Sequence, residues 1–301
     1  MCVCVCGLYS QFGSDEHVVK VVEKIANTEL GNINPFQMSR VMIHKIFPLS
    51  RISDDINVIL DDISLGKEVL AHVRSLRANE AGLVELNLSD HDIGEAHARG
   101  VAGALLVNTT LTDLTLGRMD SFNDLGEAGA REIASMLLVN TSLKRLSLDQ
   151  TGLGAAGARE LAGAMRVNTT LTDLTISRND LEEPGFIYVA DALRFNTTIT
   201  ALYLHDNNEL TENGARSLAG ALRVNTTLLH LKLHRIGLGD AGARQIAAAL
   251  QVNTTLNSLS LGESWRNQNG NWIPDGLGES VKQELREVWG VRGTLIISGI
   301  G

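Results

Sequence analysis

Cysteine is scarce and confined to one place. The three cysteines are Cys2, Cys4 and Cys6, and a two-residue spacing in a tail matches no zinc motif. Reduced thiols in a cytoplasmic protein are the expectation, with acylation of the tail as the alternative. The tail also lacks the long apolar core and basic lead of a secretory leader. The Asn-Thr-Thr tripeptides therefore read as structural rather than as glycosylation sites. A run of about 18 apolar residues is missing, so no segment reads as a membrane span. Positive charge is in deficit: the formal net charge is −9, which argues against nucleic-acid binding. Aromatics make up only 4% of the chain, and the three tryptophans, Trp265, Trp272 and Trp289, all lie near its C-terminal end. Catalytic signatures are also lacking. There is no serine elbow, phosphate loop or paired zinc-ligand motif, and no cofactor is called for.

What the chain does contain is repetition. Of its 301 residues, 44% are hydrophobic, enough for one large domain. Leu83, Leu111, Leu143, Leu171, Ile199, Leu228 and Leu256 open successive units of 28, 32, 28, 28, 29 and 28 residues, the seventh being partial. Residues 143–170 illustrate one copy. Leu146 and Leu148 alternate as in a short strand with a buried face. Leu153 drops into the core from a turn. Ala158, Leu161, Ala162 and Met165 then recur at i, i+3, i+4 and i+7, the stripe of a helix.

No single copy can bury its leucines alone. Stacking the copies closes a core between a parallel sheet and a helix layer. Strands sit roughly 4.8 Å apart, whereas packed helices need roughly 8–10 Å. The stack must bend, with strands on the concave face and helices on the convex one. The predicted fold is α/β, a right-handed curved solenoid. Asn108, Asn140, Asn168, Asn196, Asn225 and Asn253 close the helices. Asparagine tolerates the left-handed conformation there and can hydrogen-bond nearby backbone. Gly129, Gly157, Gly185, Gly214 and Gly242 are placed just before each helix, where the backbone is crowded. His97 replaces glycine in the first copy, which predicts a local departure.

Four segments follow. Residues 1–14 form a tail. Residues 15–82 form an N-terminal helical cap, with a helix over 15–30, less regular apolar patches over 31–65 and a degenerate repeat that includes a helix over 67–79. Residues 83–261 carry the repeats. Residues 262–301 form a C-terminal cap with a helix over 279–289 and a last strand at 295–297. The second copy has four extra residues within 118–124, where Met119 and Phe122 either fold back as filler or form an exposed anchor. Trp289 reads as cap packing, whereas Trp265 and Trp272 divide between cap packing and a binding edge.

Alternate strand residues point to the inner face and stack into columns from copy to copy. Two columns alternate in charge: Asp113, Arg145, Asp173 and Arg178, Asp206, Arg235. Such neighbours stabilise a sheet by about 0.2–1 kcal/mol per pair. Copies five and six add Tyr203, His205, His230, Lys232, His234 and Arg235, a basic patch with the only aromatic residue of the inner strands. This patch is the candidate contact for a protein partner with an acidic surface. His205 and His234 should face each other as a proton-sensitive pair. His230 lies roughly 13 Å along the strand from His234 and cannot complete a metal site with them, so no metal is expected. Asp149, Ser177 and His205 form a row, but with serine in the middle it is not a catalytic triad.

The pattern LxxLxL, a turn leucine, GAxxLAxAL and VNTTL over residues 83–261 resembles the ribonuclease-inhibitor and NOD-like-receptor class of leucine-rich repeats. The ninth-position asparagine of that class survives only at Asn179 and Asn207, with His91, Met119, Thr151, Ile236 and Ser264 elsewhere. The resemblance implies a leucine-rich-repeat horseshoe acting as an intracellular protein-interaction module or scaffold, and the missing catalytic signatures predict no enzymatic activity. Similar arrays occur in Ran GTPase-activating proteins, tropomodulin-like actin regulators and axonemal proteins. A small GTPase or a cytoskeletal protein is thus an alternative partner. Arg118 is the residue nearest to the exposed arginine that a Ran-type activator would use.

Overall fold

The computed structural model describes residues 66–119, 123–207, 210–262 and 277–297, together with the backbone of 265–266 and 272–273. All of them lie in the compact unit Asp61–Gly301. The expected tail, the helix over 15–30 and the patches of 31–65 lie outside the described residues, as does Phe122.

Strand and helix alternate throughout. Helix α1 (Gly66–Arg77) precedes β1 (Glu85–Asn87), α2 (Glu95–Leu105), β2 (Asp113–Gly117) and α3 (Gly126–Leu137). Next come β3 (Arg145–Leu148), α4 (Gly154–Met165), β4 (Asp173–Thr175), α5 (Glu182–Leu193), β5 (Ala201–Tyr203) and α6 (Glu212–Leu222). The series continues with β6 (His230–Leu233), α7 (Gly239–Leu250) and β7 (Ser258–Leu261). It ends with β8 (Trp265–Arg266), β9 (Trp272–Ile273), α8 (Glu279–Trp289) and β10 (Thr294–Ile297). The main sheet has eight strands in the order β1-β2-β3-β4-β5-β6-β7-β10, every neighbouring pair parallel, and it stays open. Sequential order with parallel pairing forces each helix to cross back on one side of the sheet. The fold is a leucine-rich-repeat-like horseshoe, as its repeat predicts.

The core is the predicted one. Leu143, Leu146, Leu148, Leu153, Ala158, Leu161, Ala162 and Met165 are all buried, and each neighbouring copy repeats this pattern. In α1, Val69, Val73 and Leu76 face the same core. Helix α8 falls where expected. It buries Trp289, whose indole N–H donates to the Gly293 carbonyl at 3.3 Å. Strand β10 then pairs with β7 to add the eighth strand.

Three local expectations change. The helix-end asparagines do not adopt the left-handed conformation. Their side chains carry the function instead. Asn168 Oδ1 accepts the N–H groups of Thr170 and Leu171 at 3.0 and 2.7 Å, and its amide donates to the Leu137 carbonyl of the preceding copy at 2.8 Å. The other five repeat this arrangement and are buried. The periodic glycines lie within the first turn of each helix, not before it. A Cβ on Gly185 would meet Leu181 Cβ at 2.9 Å and Ala158 Cβ at 3.3 Å, so the crowding comes from side chains of the turn and of the preceding helix. The departure expected at His97 is confined to the start of α2. There Gly94 is extended and its N–H donates to His97 Nδ1 at 3.1 Å.

The third change concerns the insertion. Met119 does not stand in for the asparagine of the turn; Asn123 does. Its Oδ1 accepts from Ile93 N–H at 2.8 Å, and its amide donates to the carbonyls of Leu88 and Leu116. Asn179 and Asn207 make the equivalent bonds in their copies. Met119 itself is exposed.

Candidate functional site

The inner columns have the register read from the sequence. Thr115, Ser147, Thr175, Tyr203, Lys232 and Ser260 are successive partners. Asp113, Arg145, Asp173, Ala201, His230 and Ser258 form the column beside them. Parallel pairing brings Lys232 beside Tyr203, and its ammonium lies 5.0 Å from the centre of the phenol ring. That is cation–π range. Burial, followed by the Asp173 charge, holds the Tyr203 hydroxyl above its ordinary pKa. His230 and Lys232 are exposed on the inner face.

Just past the strand ends the backbone turns left-handed. Gln150, Arg178, Asp206 and Arg235 have φ of 56°, 56°, 58° and 55°. This conformation disfavours most side chains, so the surrounding fold imposes it. It also sets the charges in a row. The Arg178 guanidinium meets the Asp149 carboxylate at 2.7 Å and Asp206 at 3.3 Å. Arg235 Nη2 donates to Asp206 Oδ2 at 2.7 Å, and its Nε lies 2.6 Å from Oδ1. The alternation predicted for Arg178, Asp206 and Arg235 is thus present, and Arg145 pairs with Asp113 in the other column. For Asp149, burial outweighs the Arg178 guanidinium, and the carboxyl sits above its usual pKa.

His205 and His234 do face each other. Their rings stack with centroids 4.4 Å apart and planes 24° from parallel. His205 Nδ1 lies 2.9 Å from the Ser177 hydroxyl, and His234 Nδ1 lies 3.2 Å from the Ser260 hydroxyl. Burial, then His234, Arg178, Lys232 and Arg235, push the His205 pKa down to about 3. His205 is therefore neutral at physiological pH, and the expected proton switch near neutrality does not arise from it. The Asp149, Ser177 and His205 row is closed off from solvent at its middle and held at one end. Ser177 is 0% exposed, and Asp149 is bound to Arg178.

Trp265 and Trp272 belong to an antiparallel hairpin, with Trp265 opposite Ile273 and Arg266 opposite Trp272. Arg118 is exposed and pairs with Asp90 at 2.5 Å. Two features escaped the sequence reading. Asp206 joins His205 and His234 in a cluster whose donor atoms all lie within 4.8 Å of one another. Its signal was adjacency to His205 at a strand end. The second is an exposed apolar line: Val107, Val139, Val167, Phe195, Val224 and Val252, each just before a helix-end asparagine. The Arg166 guanidinium covers Phe195, 4.4 Å from its ring.

Comparison with known proteins agrees with the repeat geometry. The Leucine Rich repeat family model matches residues 139–162 and 195–219. No curated protein matches the chain. Among solved structures, leiomodin-1 actin-binding site 2 is 20% identical, covers 62% of this chain and 90% of its own, and has a TM-score of 0.42. The tropomodulin C-terminal domain of Caenorhabditis elegans is 14% identical, covering 62% and 93%, with a TM-score of 0.40. The leucine-rich repeat-containing protein LegL7 of Legionella pneumophila is 16% identical, covering 75% and 78%, with a TM-score of 0.41. These values support no functional transfer. The class is that of a leucine-rich-repeat-like solenoid, and no finer subclass is marked out. Among the described residues, no helix is long and apolar enough to cross a membrane.

Proposed function

We propose that this chain is a cytoplasmic protein-interaction module whose concave face binds an acidic protein partner. The observation that carries the reading is the Tyr203–Lys232 pair. It places an aromatic anchor and a cation side by side in the centre of an extended sheet. Aromatic anchors dominate protein interfaces, and complementary charge sets approach and register. His230 is exposed beside it. Arg235 and Arg178 share the Asp206 carboxylate, so they brace the patch and contribute less net charge to it. For the Ser177–His205 pair, a pKa lowered to about 3 makes the imidazole a weak base, and the serine is buried.

The test is affinity capture from native extract with mass spectrometry, comparing the wild type with a Tyr203→Ala, Lys232→Glu variant. A partner bound directly by the purified wild type and lost from the variant is the expected result. If every partner bound both forms equally, the concave patch would not be the contact. A small GTPase whose hydrolysis is stimulated by the wild type and not by Arg118→Ala would support the Ran-type alternative. Stable co-sedimentation with filaments would support an architectural role.

A further inference from the structure

We propose that the edge of the stack where helices turn into strands docks on an anionic lipid surface, with its apolar line inserted among the headgroups. The concave face stays free in this orientation, so the edge is a second contact beyond the one for a protein partner.

The apolar line is continuous. Val107, Val139, Val167, Phe195, Val224 and Val252 are between 54% and 61% exposed, and Leu106 and Leu138 beside them are 53% and 56% exposed. Single exposed apolar residues are ordinary, whereas a contiguous series marks a contact site. This series crosses six successive copies. Each member precedes a buried asparagine bonded within its own copy and to the preceding one, as Asn168 is. The exposed side chains are thus presented from a braced turn.

The shape of the edge suits a bilayer. The stack bends because inner strands pack closer together than outer helices. That curvature runs from the sheet to the helix layer. All strands of the main sheet are parallel, so every helix-to-strand turn opens at the same end of the stack. The turns follow an arc close to one plane, and a plane meets a membrane along its whole length.

Charge favours an anionic surface. Arg166, Arg194 and Arg223 stand one residue before the line, all exposed. Arg166 covers the Phe195 ring and pairs with Asp191. Arg194 and Arg223 meet no carboxylate among the described residues. The partial negative charge of the helix C-termini opposes an anion here. It is weakened because asparagine amides of the following copy take the last carbonyls, as Asn196 does for Met165 and Asn225 for Leu193. Arginine stems lie along apolar surface while their guanidinium groups reach phosphate. Apolar insertion combined with basic residues is how interfacial segments hold an anionic membrane. The chain's formal net charge of −9 lies on the rest of its surface, which the same membrane repels, so this edge faces inward.

The experiment is co-sedimentation of the full chain with sucrose-loaded vesicles. The chain is made in bacteria and kept reduced, so that its tail cysteines are unmodified. One vesicle set is phosphatidylcholine, and the other contains about 30% phosphatidylserine. Binding to the anionic set is expected in about 0.1 M salt, several-fold above the neutral set and lost in about 0.5 M salt. Val167→Ser, Phe195→Ser, Val224→Ser together should lower it at least about fivefold, as should Arg194→Gln with Arg223→Gln. All five side chains are exposed, and unchanged far-ultraviolet circular dichroism checks that both variants fold. Tyr203→Ala, Lys232→Glu should sediment as the wild type does, which separates this edge from the concave patch. A wild type that stays in the supernatant up to about 1 mM lipid overturns the proposal. In that case, a dimer lost in the serine variant would assign the edge to a second copy of the chain, and a protein lost from it would assign the edge to that protein. Equal sedimentation of the edge variants and the wild type overturns it as well.

Discussion

Asn123 and Met119 separate two meanings of one insertion. Asn123 is buried and satisfies one N–H and two carbonyls across neighbouring copies. Met119 is exposed, and its sulfur accepts a hydrogen bond from Arg178 at 3.4 Å. Removing a buried hydrogen-bonding side chain costs about 1–3 kcal/mol for each group left unsatisfied. Asn123→Ala should therefore lower the urea midpoint clearly, and Met119→Ala should leave it nearly unchanged. Equal effects would assign the turn to Met119 after all. His205 supports a second prediction at this scale. In the folded chain its pKa is about 3, against an ordinary value of 6.5. The folded state thus binds the proton less readily than the unfolded one. The stability this provides is complete above about pH 6.5 and falls as the pH drops towards 3. His205→Gln should flatten the loss of stability between about pH 6.5 and 4. Parallel pH profiles for the two chains would contradict this.

Within the helices, two glycines should behave in opposite ways. Gly163 sits inside α4, and a Cβ added there would have nothing within 4 Å, so alanine gains helix propensity of up to about 1 kcal/mol. A Cβ on Gly185 in α5 would have Leu181 Cβ at 2.9 Å and Ala155 Cα at 3.4 Å, rigid atoms that cannot swing aside. Gly163→Ala should raise the melting temperature and Gly185→Ala should lower it, as thermal unfolding monitored by circular dichroism would reveal. The helices were legible from their alanine and leucine stripes. The role of the glycines was legible only as crowding, because part of the crowding comes from the preceding copy. The strand ends were harder still. The left-handed Arg178 and Arg235 carry none of the glycine, asparagine or aspartate preference that would announce such a turn, and only Asp206 does.

For the stack as a whole, the ends decide stability, since each copy is held mainly by its neighbours. Helix-end asparagines link every copy to the one before, and Arg292 continues the series past the last of them. Its Nη1 donates to the carbonyls of Leu250 and Asn253 at 2.8 Å each, as Asn253 does to Leu222 and Asn225. Arg292→Ala should cost about 1.5–3 kcal/mol, the range for hydrogen bonds to a charged group. Hydrogen exchange should then quicken in α7 and β7 and stay slow in α4. Uniform acceleration across the array would show that the last copy is not a separate fraying unit.

The sequence by itself determined the repeat, the strand register and the core. These follow from periodicity, and periodicity is a property of the chain alone. It also identified Tyr203, His205, His230, Lys232, His234 and Arg235 as neighbours, because equal positions in a stacked repeat must lie side by side. Tertiary structure alone decided what those neighbours do to one another. Only there does Asp206 come near both histidines, and only there does burial keep His205 neutral. The reason is physical. Periodicity specifies which backbone positions are adjacent, whereas charge state and contact geometry depend on side-chain direction, burial and distances of a few ångströms across copies.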